Sequence, residues 1–184
     1  MTDRSSFTWK DGEWFEGNQP MLGPMSHAWW MASSVFDGAR CFQRLAPDLD
    51  RHCSRLVESG NAFNMVCPVP TEEIVALSWD GIEKFPEDAE LYIRPMMYFE
   101  DGFVAPDTGS TNFILTVFEA PMPPWGGVTT MLSSFRRPTP EAAPTNAKAS
   151  CLYPNVGRAL AEARGRGYGT AIVLDALGNV AEFA

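Results

Sequence analysis

Three lysines stand in the 184-residue chain, and their surroundings set them apart. Lys10 adjoins Asp11 and Gly12 in a polar turn, and Lys84 follows Glu83 at the polar end of a helical pattern. Lys148 lies instead among small uncharged residues, in Pro144-Thr145-Asn146-Ala147-Lys148-Ala149-Ser150, with Glu141 as the nearest full charge. An amine held among small groups and away from water loses part of its proton affinity and becomes a usable nucleophile. That chemistry suits Schiff-base formation with a carbonyl cofactor or substrate. The alternative is a solvated loop lysine.

Other residues stand out by where they fall in their patterns. Arg94 sits in Leu91-Tyr92-Ile93-Arg94-Pro95-Met96-Met97-Tyr98, a strand apolar enough that its cation must either pair or meet an anion. Gly38 lies in the middle of the strand pattern 34–42, on one face with Phe36 and Arg40. A glycine there marks either a bulge or the close approach of a ligand or another backbone. Arg55 borders the apolar stripe of a helix, where it could point inward or into solvent. Glu182, taken alone, is an ordinary surface strand residue.

Read in order, five stretches carry a resemblance. They are Val35-Phe36-Asp37-Gly38-x-Arg40, His52-x-x-Arg55-Leu56, Tyr92-Ile93-Arg94-Pro95, Arg137-Pro-x-Pro140 with Pro144-Thr-x-Ala-Lys148-Ala and Tyr153, and Gly178-Asn-Val-Ala-Glu182. Together they resemble the class IV pyridoxal-phosphate aminotransferases, and within these the branched-chain amino acid aminotransferases, from about residue 9 to residue 184. The resemblance implies an α/β fold of two domains: an N-terminal α/β domain over 1–122, a linker over 123–127, and the first part of a C-terminal, cofactor-binding α/β domain over 128–184. It implies pyridoxal 5′-phosphate as cofactor, with Lys148 as the catalytic amine. Arg55 would bind the phosphate, Tyr153 would donate near the phenolic oxygen, and Glu182 would face the pyridine nitrogen. A guanidinium fork suits a phosphate dianion better than a point-charge lysine does. Phe36, Gly38, Tyr92 and Arg94 fall on the substrate side.

The activity implied is transfer of an amino group between a branched-chain or related amino acid and a 2-oxo acid, by a ping-pong Schiff-base mechanism. D-amino acid aminotransferases, (R)-amine aminotransferases and aminodeoxychorismate lyases share the fold and are the neighbouring readings; Tyr92-Ile93-Arg94-Pro95 leans towards the branched-chain group. The resemblance also implies a homodimer. Three departures stand beside it. Met31 takes the place of a family tyrosine, and Lys148-Ala-Ser-Cys-Leu-Tyr153 replaces Lys-Ala-Gly-Gly-Asn-Tyr. The family pattern also continues past Ala184, so the chain is expected to be an incomplete catalytic unit; a truncated polypeptide without catalysis is the competing expectation.

These residues need elements to position them. Phe7 to Phe15 reads as a β-hairpin turning at Asp11-Gly12. Strand patterns follow at 34–42, 91–98, 113–118, 128–133, 170–174 and 180–183, and 27–31 is ambiguous between helix and strand. Helices are predicted after Asp48, at Thr71 and over 152–163, with Asp48 and Thr71 as N-caps.

With 45% hydrophobic residues the chain can build a core, and its net charge of -9 argues against nucleic acid, which needs a basic face. Cys41, Cys53, Cys67 and Cys151 show no metal-ligand spacing and only two histidines accompany them, so no metal site is expected and the thiols read as reduced core residues. No run has the length of a membrane span, and the first residues lack an apolar leader. A soluble cytoplasmic protein is the expectation.

Overall fold

Asp11 and Gly12 both take left-handed backbone conformations, with φ of 52° and 91°. A two-residue turn of this kind matches the twist of the strands it joins. It connects β1 (Ser6–Lys10) to β2 (Glu13–Glu16) as an antiparallel hairpin with Lys10 opposite Glu13, as the Asp-Gly pair predicts. This computed structural model describes residues 4–123 and 125–184. Residues 1–3, part of the N-terminal stretch read above, and Pro124, in the expected linker, lie outside the described residues. Two compact units divide the chain, Met1–Met122 and Pro123–Ala184.

In the first unit, α1 (His27–Met31), β3 (Ser34–Phe36), β4 (Ala39–Cys41), α2 (Leu49–Asn61), α3 (Thr71–Glu83), β5 (Leu91–Phe99) and β6 (Thr111–Glu119) follow the hairpin. The strands form one antiparallel sheet in the order β2-β1-β6-β5-β3, with β4 also paired to β5. Alternation along the strands makes the two faces unlike. Val35, Ala39, Leu91, Ile93, Met97, Leu115 and Val117 are almost fully buried on the face that α2 and α3 cover. Phe36, Arg40, Tyr92, Arg94 and Met96 project from the other face and are half-buried.

Two local expectations need correction. The pattern over 34–42 is not one strand: β3 and β4 flank Asp37-Gly38, although Phe36 opposite Met96 and Ala39 opposite Ile93 keep one register along β5. Asp37 still donates its N–H to Pro95 O at 3.0 Å, but proline has no N–H to return, so the ladder breaks there. Of the two predicted caps, Asp48 holds the N-cap position but makes no cap bond, and Thr71 does not hold the position. Asp48 precedes α2 in a left-handed conformation and lies 3.6 Å from Arg51, while Thr71 is already the first residue of α3, behind Pro70. Cys41 and Cys53 are buried as expected of core thiols, whereas Cys67 is half-buried and Cys151 exposed. Among the described residues no helix is long and apolar enough to cross a membrane.

The second unit is a three-stranded sheet of β7 (Thr130–Arg136), β8 (Thr170–Leu174) and β9 (Val180–Phe183), in that order. β7 and β8 run parallel, which requires a crossover. The crossover contains α4 (Tyr153–Gly165), entered through a 3-10 turn at Ser150–Leu152. Ala159 and Ala163 of α4 pack on Ala171 and Val173 of β8, with Met131 and Phe135 at the margin. The turn into β9 is closed by Asp175, whose Oδ1 accepts the N–H groups of Leu177 and Asn179 at 2.9 Å each, with Gly178 at a φ of 92°.

Candidate active site

Arg55 is placed by α2 and by Asp37, in the break between β3 and β4. Leu49, Cys53 and Leu56 bury one stripe of α2, which leaves His52 and Arg55, three residues apart, on its flank. Asp37 shares the orientation of Val35 and Ala39 and so points from the strand break toward α2. Its side chain is fully buried. Arg55 donates Nε to Asp37 Oδ2 at 2.6 Å and Nη2 to Oδ1 at 2.8 Å, a two-bond fork. His52 Nδ1 lies 2.8 Å from the same Oδ1, and a carboxylate can only accept, so Nδ1 carries the proton. The N–H of Gly38 donates to Oδ1 at 2.7 Å. Burial by itself raises the carboxyl pKa of Asp37; the bonds from Arg55, then His52, then Gly38 outweigh it and hold the group below the usual carboxylate range. More than half of the Arg55 side chain stays exposed, beside an open groove lined by Arg51, Ser54 and Glu58.

The other sheet face gathers Phe36, Gly38, Tyr92 and Arg94. Tyr92 crosses Gly38 so closely that a Cβ on the glycine would stand 1.8 Å from the Tyr92 hydroxyl oxygen. Its ring is held between the Arg40 guanidinium, 5.3 Å from the ring centroid, and Phe118, 5.4 Å between centroids. Arg94 lies over Phe118, 5.3 Å from its centroid, and the buried Arg94 Nε has no hydrogen-bond partner. Burial lowers the Arg94 pKa, with the nearby Tyr92 acting in the opposite direction. An aromatic strip flanked by two guanidinium groups is a surface suited to a ligand with both an apolar and an anionic part.

In the second unit the candidates fall into two pairs. Buried Ala147 and Ala149 pin the backbone on either side of Lys148, whose Nζ donates to the Tyr153 hydroxyl at 2.9 Å, across the 3-10 turn that opens α4. Glu182 on β9 stands opposite Val173 of β8, and its Oε1 is 3.1 Å from Nη1 of Arg137, which follows β7. The distance is that of an ion pair, but the groups are not aligned as a hydrogen bond, and Glu182 Oε1 is buried without one.

Of the residues singled out from the sequence, Phe36, Gly38, Tyr92 and Arg94 share one face, Arg55 lies on the helix side of the same sheet, and Lys148 meets Tyr153. Two partners were missed. Asp37 could have been found as the one acid among the apolar residues Val35, Ala39 and Cys41 with which it alternates in the 34–42 pattern. Arg137 carries no comparable signal, because its pairing with Glu182 depends on the order of three strands.

The chain as a whole is similar to known proteins. A family model described as amino-transferase class IV matches residues 34–184. A branched-chain-amino-acid aminotransferase of Escherichia coli (strain K12) is 30% identical over 100% of this chain and 63% of its own length. The crystal structure of an aminotransferase from Brucella abortus, bound to the co-factor PLP, superposes with a TM-score of 0.94 at 46% identity, covering 98% of this chain and 65% of that one. A branched-chain aminotransferase from Thermoproteus uzoniensis, solved with norvaline, gives a TM-score of 0.85 at 27% identity over 97% of this chain and 63% of that one. The chain thus spans less than two thirds of the length of these relatives.

Proposed function

The chain belongs to the amino-transferase class IV family, and from that premise we propose that it serves a pyridoxal-phosphate-dependent transfer of an amino group between an amino acid and a 2-oxo acid. The observation that carries the reading is the Lys148 amine 2.9 Å from the Tyr153 hydroxyl, on a backbone whose neighbouring residues Ala147 and Ala149 are buried. When bound, pyridoxal phosphate supplies an aldehyde for such an amine and a ring that accepts the electron pair left when a substrate loses its Cα proton.

Each unit, taken by itself, carries groups whose chemistry suits that cofactor. Glu182 Oε1, buried and without an aligned hydrogen bond, offers a lone pair to a ring N–H, with Arg137 Nη1 3.1 Å away. Arg55, held by its inner edge, presents a guanidinium for a phosphate dianion. Tyr153 donates at the phenolic oxygen. Lys148 Nζ would act as the base that moves the substrate Cα proton to the cofactor carbon that carries the aldehyde, a role that its hydrogen bond to Tyr153 would orient. Phe36 and Tyr92 border the substrate, and Arg94 supplies a cation for it. Donor and acceptor react in turn, in two half-reactions.

Branched-chain substrates are favoured by the Escherichia coli and Thermoproteus uzoniensis relatives. A homodimer is supported by an apolar cluster on the first unit: Trp29, Met31, Phe103 and Val104 are exposed, and the rings of Trp30 and Phe103 lie 5.7 Å apart. The buried free thiols of Cys41 and Cys53 are in keeping with a cytoplasmic location.

The deciding experiment is borohydride reduction of the protein with pyridoxal phosphate, followed by peptide mass mapping. The pyridoxyl group should be found on Lys148, and Lys148→Ala should abolish labelling. Label on Lys10, which lies 3.9 Å from Asp11, or on Lys84, which sits over the rings of Phe7 and Trp14, would sink the assignment. A panel of L-amino acids, D-amino acids and (R)-amines as donors then separates the branched-chain reading from its neighbours.

A further inference from the structure

Asp37 is the most deeply buried acid of the first unit's polar cluster, and every bond it makes leads toward Arg55 or its surroundings. Its two oxygens take Nε and Nη2 of Arg55, which uses one edge of the guanidinium and fixes the plane of the rest. The oxygen that accepts Nη2 also accepts His52 Nδ1 and the Gly38 N–H, so the carboxylate is itself anchored from the helix and from the strand break. Arginine side chains carry large rotamer entropy, and one whose side chain is more than half exposed would otherwise sample many orientations. A buried carboxylate that is already saturated on the protein side removes that freedom before any ligand arrives.

We infer that Asp37 is a positioning residue: it orients Arg55 as a receptor for the phosphate of the cofactor, with His52 and the Gly38 amide fixing the carboxylate. The inference rests on the pyridoxal-phosphate reading above. Asp37 does not touch the ligand. Its negative charge works against an incoming dianion, and what it contributes is the direction of the guanidinium.

The test compares pyridoxal 5′-phosphate with pyridoxal, which share ring and aldehyde and differ in the phosphate. Both are titrated into the full chain, with tryptophan fluorescence as readout. The parent should prefer the phosphorylated ligand. Asp37→Asn should weaken pyridoxal phosphate binding about tenfold or more, the size expected when a charged hydrogen bond is lost, and leave pyridoxal within about twofold. Asp37→Glu keeps the charge and both oxygens but sets them one methylene further out, and should fall between parent and Asp37→Asn. Equal weakening of both ligands would show a merely structural role, and no weakening of either would show none; each overturns the inference. If Asp37→Asn does not fold, Asp37→Glu decides: a selective change for pyridoxal phosphate supports the inference and an unchanged preference overturns it. Arg55→Gln separates the two levels of the argument. A full phosphate preference in Arg55→Gln, or a parent chain without one, removes the phosphate reading of Arg55 itself and this inference with it. Loss of preference in Arg55→Gln but not in Asp37→Asn removes only the inference about Asp37.

Discussion

The hydroxyl of Tyr92 occupies the space that a side chain on Gly38 would need: a Cβ built there stands 1.8 Å from the oxygen and 2.4 Å from the ring carbon that bears it. Gly38 does not have a positive φ, so alanine would meet no backbone penalty and the whole cost is steric. The ring cannot swing aside without leaving Arg40 and Phe118. Gly38→Ala should therefore lower unfolding stability by roughly 1–3 kcal/mol. Adding Tyr92→Leu, which clears the space, should recover part of that loss. Urea unfolding of the four members of this cycle checks the pair, and a Gly38→Ala protein as stable as the parent would refute the contact.

Asp37 makes the stability of the first unit sensitive to acid. Its folded pKa is held below the unfolded-chain value of about 3.9. A depressed carboxylate contributes stability that is complete above the unfolded value and is lost as pH falls through the folded one. Asp37→Asn should cost roughly 1–3 kcal/mol near neutral pH, less than for a fully buried pair because Arg55 is more than half exposed. The gap between parent and variant should then narrow below about pH 4, where the parent protonates. Urea midpoints measured from about pH 6 down to about pH 2.5 test this; a constant gap would assign the loss to packing instead.

The hairpin at Asp11-Gly12 was legible because turn and strands are neighbours in the chain. The break between β3 and β4 was not, because its cause is Pro95, which lies 58 positions after Asp37 and meets it only once β5 pairs. A separation of 18 positions likewise hides the fork on Arg55: the sequence shows an arginine at a helix edge, while the carboxylate that holds it comes from the break between β3 and β4. Asp48 and Thr71 show the converse limit. Both are good capping residues by type, yet a left-handed conformation at one and a preceding proline at the other leave the cap bonds unmade. Local chemistry thus marked Lys148, Arg94 and Gly38 as unusual; the partner of Lys148, Tyr153, lies five residues on, whereas the contacts of Gly38 with Tyr92 and of Arg94 with Phe118 arise only when the sheet forms.

Arg137 and Glu182 form a partly shielded ion pair across β8, 3.1 Å apart. Arg137→Met and Glu182→Gln should each destabilise the chain, and the double variant should lose less than the sum. The coupling should be roughly 0.5–1.5 kcal/mol, above that of a fully exposed pair, and should shrink with added salt. Single losses that add to within about 0.3 kcal/mol would mean the two charges do not act on each other.

Arg94 gives the sharpest separation of stability from function. It lies on an apolar strand with its Nε buried and without a hydrogen-bond partner, and burial depresses its pKa, which marks the charged form as costly where it sits. Its contact with Phe118 returns only part of that cost. A buried donor left open is destabilising by about 1–3 kcal/mol, and methionine fills similar volume without it. Arg94→Met should accordingly leave the protein as stable as the parent or raise it by up to about 2 kcal/mol. If the donor is reserved for a substrate, the same change should raise the KM for a branched-chain 2-oxo acid about tenfold or more while pyridoxal phosphate affinity stays within about twofold. Arg55→Ala should show the reverse, weaker cofactor binding with less effect on the 2-oxo acid. Thermal unfolding, cofactor titration and steady-state transamination on both variants decide the matter. A destabilised Arg94→Met protein with normal KM would make Arg94 a structural cation, and exchange of the two binding phenotypes would overturn the roles given to both arginines.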